Sequence, residues 1–147
     1  MVDLDAVRAR TLVDDLAARH PLAVVDTAVP ADLAAVLATA DGLVHCTPVG
    51  MAEHPGLPLD ADLLRPGLWV ADIVYRPLDT ELLVTARERG CRTLSGGRMA
   101  VHQAVDAFAL ITGTRPDPDR MTAHFLDLVS ADSPLSPALP PLRSRPP

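Results

Sequence analysis

The sequence predicts an α/β fold, a parallel sheet with flanking helices, on two observations. Short apolar segments alternate along the chain with stretches of helical period, the pattern of successive β-α-β crossovers. The residues with chemical potential also gather at the C-terminal ends of those apolar segments, where open parallel sheets bind ligands.

Each element follows from its local pattern. "MVDLD" reads as the end of a buried strand with an acidic rim. Asp5 then stands at an N-cap position, and Ala9, Leu12, Val13, Leu16 and Ala17 form an apolar stripe at helical spacing. "LAVVDTA" reads as a second short buried strand, and Leu33, Val36, Leu37 and Ala40 repeat the helical period behind Pro30 and Asp32. "GLVHCTPV" is the next strand, and "TPVGM" a turn at its edge. Residues 52–67, rich in Pro and Gly, read mostly as loop, with a helical turn at "DADLL". "LWVADIVY" is apolar enough for a central parallel strand. Asp79 or Thr80 caps the following helix, and Gly90 is placed to end it. "CRTLSGG" is a further short strand. After it comes a helix from Met99 to about Thr112, with Val101, Ala104, Val105, Phe108 and Ala109 facing the core and Gln103 off that face. Pro118 behind Asp117 starts a last helix with Met121, Phe125, Leu128 and Val129 inward. The expected domain covers 1–130, and 131–147, Pro- and Ser-rich without periodicity from Ser133, reads as a disordered tail.

Composition bounds the function. A chain of 147 residues is long enough for one domain with a real core, and 48% apolar content with 3% aromatics means a core of Ala, Val and Leu. No apolar run approaches the ~20 residues needed to span a bilayer, and no basic-then-apolar leader opens the sequence. The net charge of -6 argues against a nucleic-acid surface. The 2 cysteines, Cys46 and Cys91, are too few for a disulfide framework or zinc site and read as small buried hydrophobes. The histidines show no metal spacing. His45 reads as a satisfied core or rim histidine and Trp69 as a packing residue. A reduced, cytoplasmic setting without metal, membrane or nucleic acid fits best. All 13 basic residues are arginine, so any lysine-dependent chemistry needs a lysine from outside this sequence.

Several strand-end residues have binding chemistry. An acid ending the second strand of a dinucleotide-binding unit can accept both adenosine ribose hydroxyls of NAD and repels the 2′-phosphate of NADP. Asp3 is the candidate, with Arg8 one turn on, near enough to stack on adenine; Asp3 and Asp5 read equally well as capping residues. "TPVGM" offers the Thr47 hydroxyl beside rigid Pro48. "SGGRMAVHQ" puts two glycines at a helix start with Gln103 one turn past Met99, or is an ordinary strand-to-helix turn. Tyr75 offers a phenol at a strand end, or is a rim residue.

Four segments, "DGLVHCTPVGM…HPGLPL", "LWVADIVYRPLDTELL", "GCRTLSGGRMAVHQAVDAFALITG" and "PDPDRM…HFLDL", together resemble the C-terminal half of the shikimate/quinate dehydrogenases, in family order from Met1 to about Val129. The likeness is greatest to the bacterial NAD-preferring quinate/shikimate branch. It implies that Asp3 and Arg8 hold the adenosine end of NAD, with NADP disfavoured because Asp3-Leu4-Asp5 replaces the Asn-Arg-Thr of NADP-type members. It also implies that Thr47, Pro48, Ile73, Gly96, Met99 and Ala100 surround the dinucleotide, and that Tyr75 and Gln103 face the cyclic polyol acid. Two departures stand out: His45-Cys46-Thr47 replaces the family's usual Asn-Ala-Thr, and Ser95 replaces an Asp common before the glycine pair.

Complete members begin with a substrate domain carrying a Lys–Asp pair, followed by a first strand and a Gly-rich phosphate loop. The first glycine here is Gly42, so the expected fold is an incomplete Rossmann-like sheet lacking the first strand and that loop. The resemblance thus implies the cofactor-binding portion of an NAD(P)-dependent oxidoreductase of the shikimate (aromatic amino-acid) or quinate pathways. Such a portion requires a substrate domain from elsewhere, leaves room for a homodimer, has no catalytic residue of its own and is inactive alone. The alternative is a truncated, non-catalytic remnant or interaction module keeping only the fold.

Overall fold

The computed structural model describes residues 1–131. The expected tail lies outside these residues, except for Ala131 at the end of the last helix.

The first helix, α1 (Ala6–Arg19), starts where predicted: the Asp5 carboxylate accepts the backbone N–H groups of Val7 and Arg8 at 3.0 and 3.1 Å. These are orphan donors that any helix start must satisfy. Its inward stripe is narrower than the sequence suggested, since only Ala9 and Val13 are buried and Leu12 is 44% exposed.

Two predicted strands are corrected. "MVDLD" and "LAVVDTA" make a single parallel bridge, Val2 with Ala28, backed by Ala28 N–H donating to the Met1 carbonyl at 2.9 Å. Leu22 and Val24 are fully exposed. The reason is physical: apolar composition becomes strand burial only when a neighbour pairs the backbone and covers the side chains, and these segments lie outside the described sheet.

A 3₁₀ turn (Pro30–Asp32) leads into the short helix α2 (Leu33–Thr39). Three strands then form one parallel sheet: β1 (Gly42–His45), β2 (Trp69–Asp72) and β3 (Arg92–Leu94), in the order β1-β2-β3. The segment expected to be central, "LWVADIVY", is the central strand. In the β1–β2 register Gly42 lies opposite Trp69, Leu43 opposite Val70, and His45 opposite Asp72. The first of these pairs is tight. A Cβ on Gly42 would fall 1.9 Å from the Trp69 ring, so the glycine makes room for the indole. Trp69 is accordingly a packing residue, although 38% exposed.

One face of the sheet carries the core. Leu64, Leu68, Val70, Leu82, Leu83, Ala86 and Cys91 pack together, with Leu43, Leu57 and Leu59 against them. The loop 52–67 therefore supplies core leucines around its expected helical turn (Ala61–Leu63). Leu82 and Leu83 are completely buried on α3 (Glu81–Glu88), each worth roughly 1.5–3 kcal/mol of burial. Of the two predicted caps for α3, Thr80 is the one used, its hydroxyl oxygen accepting Leu83 N–H at 3.3 Å. At the other end Gly90, at φ +78°, lets Gly90 N–H reach Arg87 O and Cys91 N–H reach Ala86 O. That pair of bonds is a Schellman ending. On the opposite sheet face Val44 and Leu94 are 54% and 58% exposed.

The chain closes with α4 (Gly96–Thr112) packed on α5 (Pro118–Ala131). The Asp117 carboxylate accepts Asp119 and Arg120 N–H, which places Pro118 at the first helical position as expected. Val101 and Val105 are buried on α4, whereas Ala104 and Phe108, predicted inward, are exposed. On α5 Met121, Phe125 and Val129 are half-buried and Leu128 is exposed, because α5 packs as an outer layer on α4. Cys91 is buried as predicted, but Cys46 is exposed, since it follows the last residue of β1 and falls in the turn.

Candidate functional site

The carboxyl ends of the strands bring together most of the residues singled out from sequence. After β1 the chain turns sharply at "TPVGM". Met51 N–H donates to the Pro48 carbonyl at 3.1 Å, and Gly50 sits at φ +95° in the third position of that turn, where a side chain is strained. Thr47 and Pro48 are left exposed on the rim.

After β2 the chain continues through Ile73 and Val74 to Tyr75. Ile73 N–H donates to the His45 carbonyl at 3.1 Å, extending the β1–β2 ladder by one bond. The start of α4 lies directly against this segment. A Cβ on Gly96 would meet the Ile73 carbonyl oxygen at 2.3 Å, and one on Gly97 would meet Leu78 at 2.6 Å and Phe125 at 3.2 Å. Gly96 is thus explained by backbone-to-helix packing, which seats the N-terminus of α4 over the end of β2, and Gly97 by the Leu78 and Phe125 side chains packed against it. Met99 and Gln103 are exposed on α4 and Ala100 is half-buried. Tyr75 is 44% exposed, its ring 6.3 Å from that of Phe125 at a tilt of 56°.

Asp3 and Arg8 form a separate corner. Asp3 Oδ1 accepts Asp5 N–H at 2.8 Å, while its Oδ2 lies 3.8 Å from Arg8 Nε. Arg8 also approaches Asp5 Oδ2 at 3.6 Å. Asp5 is the cap of α1, and the backbone N–H of Arg8 in particular, with that of Val7 and the Arg8 charge, holds its carboxyl below the ordinary value. Asp3 keeps one carboxylate oxygen only loosely engaged. Arg8 lines a shallow surface depression with Val7, Thr11 and Leu12.

Sequence reasoning missed the best-connected group here. Asp72 and His45 are buried, at 2% and 5% exposure, and His45 Nδ1 lies 3.0 Å from Asp72 Oδ1. Asp72 Oδ1 also accepts Val74 N–H at 3.0 Å, and Oδ2 accepts the Thr80 hydroxyl at 2.7 Å. On its other side, His45 Nε2 meets Thr47 Oγ1 at 2.5 Å. His45 is therefore a satisfied core histidine, as expected. The available signal was an acid inside an otherwise apolar strand, since a buried charge needs partners. Among the described residues no His, Cys, Asp or Glu cluster could hold a metal ion. Among the same residues no helix is long and apolar enough to cross a membrane.

A three-stranded parallel sheet, flanking helices and chemistry at the strand ends define a Rossmann-like α/β protein. Comparison with known proteins narrows this. The chain is 56% identical over 132 residues to the shikimate dehydrogenase (NADP(+)) of Pseudarthrobacter chlorophenolicus, covering 90% of this chain and 45% of that protein. It is 48% identical over 128 residues to the quinate/shikimate dehydrogenase (NAD(+)) of Corynebacterium efficiens, with 87% and 45% covered. In structure it matches quinate dehydrogenase from Corynebacterium glutamicum in complex with NAD, at TM-score 0.81 and 47% identity over 86% of this chain and 45% of the other. No protein-family model matches. The chain is similar to the shikimate/quinate dehydrogenases and spans less than half the length of these relatives, consistent with their C-terminal half. Relatives named for NAD and for NADP both match, and the higher identity above is to an NADP-named one, so these matches favour neither cofactor.

The residues fit the two ends of a dinucleotide by their donor and acceptor chemistry. The loosely held Asp3 oxygen suits ribose hydroxyls, and the exposed Thr47 hydroxyl suits an amide-bearing ring. A glycine-rich phosphate cradle is not among residues 1–41, which contain no glycine.

Proposed function

We propose that this chain is the cofactor-binding portion of a dehydrogenase that moves a hydride between a nicotinamide dinucleotide, NAD in preference to NADP, and the ring hydroxyl carbon of quinate or shikimate. The observation that carries this reading is the convergence of Thr47, Ile73, Tyr75 and Gly96 on one strand-end rim in a chain similar to this family. Bound NAD supplies the hydride acceptor. Asp3 accepts from the adenosine ribose hydroxyls and repels a 2′-phosphate, and Arg8 flanks the adenine. Thr47, Pro48, Ile73, Gly96, Met99 and Ala100 form the wall that orients the dinucleotide and its nicotinamide. Tyr75 and Gln103 present a phenol and an amide to the hydroxyl and carboxylate groups of the cyclic acid. The proton leaving the substrate hydroxyl is taken by a lysine outside these 147 residues, none of which is lysine.

The test is reconstitution. Pure chain with NAD and quinate or shikimate is expected to give no turnover above a no-enzyme control. Addition of the separately produced N-terminal half of the Pseudarthrobacter relative is expected to restore substrate-dependent NAD reduction, weakened in Gln103→Ala. Turnover by the chain alone would overturn the division of labour, and a reconstituted activity indifferent to Asp3, Thr47 and Gln103 substitutions would overturn the site.

A further inference from the structure

The buried pair behind Thr47 does more than fill the core. Thr80 Oγ1 accepts Leu83 N–H, so its single proton goes to Asp72 Oδ2, 2.7 Å away. Val74 N–H already donates to Asp72 Oδ1. An ionised carboxylate only accepts, so the third neighbour, His45 Nδ1, must bring the proton across the 3.0 Å contact. A neutral imidazole protonated at Nδ1 has a bare Nε2, which can only accept. Its neighbour is the Thr47 hydroxyl, whose one proton is then committed inward. Val49 N–H occupies one Thr47 lone pair at 3.3 Å. What Thr47 has left for the solvent side is an acceptor.

We propose that the His45–Asp72 pair acts as a tautomer lock that makes Thr47 Oγ1 an acceptor-only group toward the strand-end rim. The rim then selects a ligand N–H or O–H donor at Thr47 and rejects acceptor-only groups such as phosphate oxygens. His45 is a positioning residue, acting through Thr47. The inference rests on the proposed function only for which donor arrives, the nicotinamide carboxamide N–H₂ or a ribose hydroxyl; the lock itself is a property of the free chain.

The test therefore uses ¹⁵N-labelled chain at pH 8 without any dinucleotide, and reads His45 by long-range ¹H–¹⁵N correlation, assigned by loss of its signals in His45→Asn. The expected result is a pyrrole-type Nδ1 and a pyridine-type Nε2. Thr47 is exposed, so Thr47→Val keeps the fold, as its amide spectrum will show. That substitution is expected to move the Nε2 resonance toward that of an unbonded nitrogen while Nδ1 stays protonated, and Thr47→Ser to restore it. Excess inorganic phosphate is expected to leave the Thr47 and Val49 amides unmoved. A proton on Nε2, a doubly protonated ring, an Nε2 resonance indifferent to Thr47→Val, or a saturable phosphate shift at Thr47 would each overturn the proposal. Since no dinucleotide is present, failure of the NAD reading leaves this result unaffected.

Discussion

His45 and Asp72 face each other across two parallel strands, in register and both out of water, with Nδ1 and Oδ1 3.0 Å apart. The contact exists because each is the last residue of a four-residue strand and both side chains point to the core face. Burying an acid there is tolerable only because three donors converge on it. Asp72→Ala strands the Thr80 hydroxyl, Val74 N–H and His45 Nδ1–H together, and is expected to cost about 3–5 kcal/mol, since each buried donor left unpaired costs about 1–3 kcal/mol. Urea unfolding followed by circular dichroism measures it, and His45→Ala, which leaves Asp72 two donors, should cost less.

Thr80 joins two functions in one hydroxyl, donating to Asp72 and capping α3. Thr80→Val keeps the shape and removes both bonds, for an expected loss of roughly 1–3 kcal/mol. Thr80→Ser should recover most of it. A Val variant as stable as the parent would show that neither bond contributes.

Gly96 and Gly42 are tight for different reasons, and their substitutions should separate. An alanine at 96 meets a backbone carbonyl that cannot step aside, so Gly96→Ala is expected to destabilise by about 1–3 kcal/mol or more. An alanine at 42 meets the Trp69 ring, which is partly exposed and can swing outward. Gly42→Ala should therefore cost less and shift the emission of the single tryptophan to longer wavelength.

The two thiols should react at very different rates. Cys46 is exposed, whereas burial pushes the Cys91 thiol above its ordinary range, partly opposed by the Arg65 charge. Iodoacetamide on folded chain is expected to add one equivalent rapidly, mapped to Cys46 by peptide mass. Cys91 should react only on unfolding.

Asp5 sets an acid limit on α1. Its carboxyl titrates below the ordinary value of 3.8, chiefly through the Arg8 backbone N–H, so its contribution is present above that value and fades as pH falls through the lower, folded one. A ¹³C carboxyl titration should give a low Asp5 midpoint, with α1 amides shifting in step. Asp5→Asn should abolish that dependence while retaining a cap.

Caps and helix ends were legible because they are local: Asp5, Thr80, Gly90 and Asp117 need only their own neighbours in sequence. The central strand was legible from its apolarity. Leu22 and Val24 were misread because their composition says nothing about whether a partner strand is beside them. Phe108 and Ala104 were misread because the period fixes which residues share a face and not how much of that face is covered. The Asp72 network escaped because its members are 27 residues and two elements apart, joined only once the β1–β2 register is known. In the site, the glycine pair was found, but its use in close packing depends on the Ile73 carbonyl against Gly96 and the Leu78 and Phe125 side chains against Gly97, which no local pattern reveals.

We propose that the strand-end rim and the Asp3 corner are the two ends of one dinucleotide site. The direct measurement is an NMR titration of the chain with NAD, with NADP in parallel. The expected result is weak binding, no tighter than millimolar, with shifts at Asp3, Arg8, Thr47, Gly96 and Met99 that are lost in Asp3→Ala and smaller for NADP. Shifts elsewhere on the surface, or NADP shifting the Asp3 corner more strongly than NAD, would contradict it.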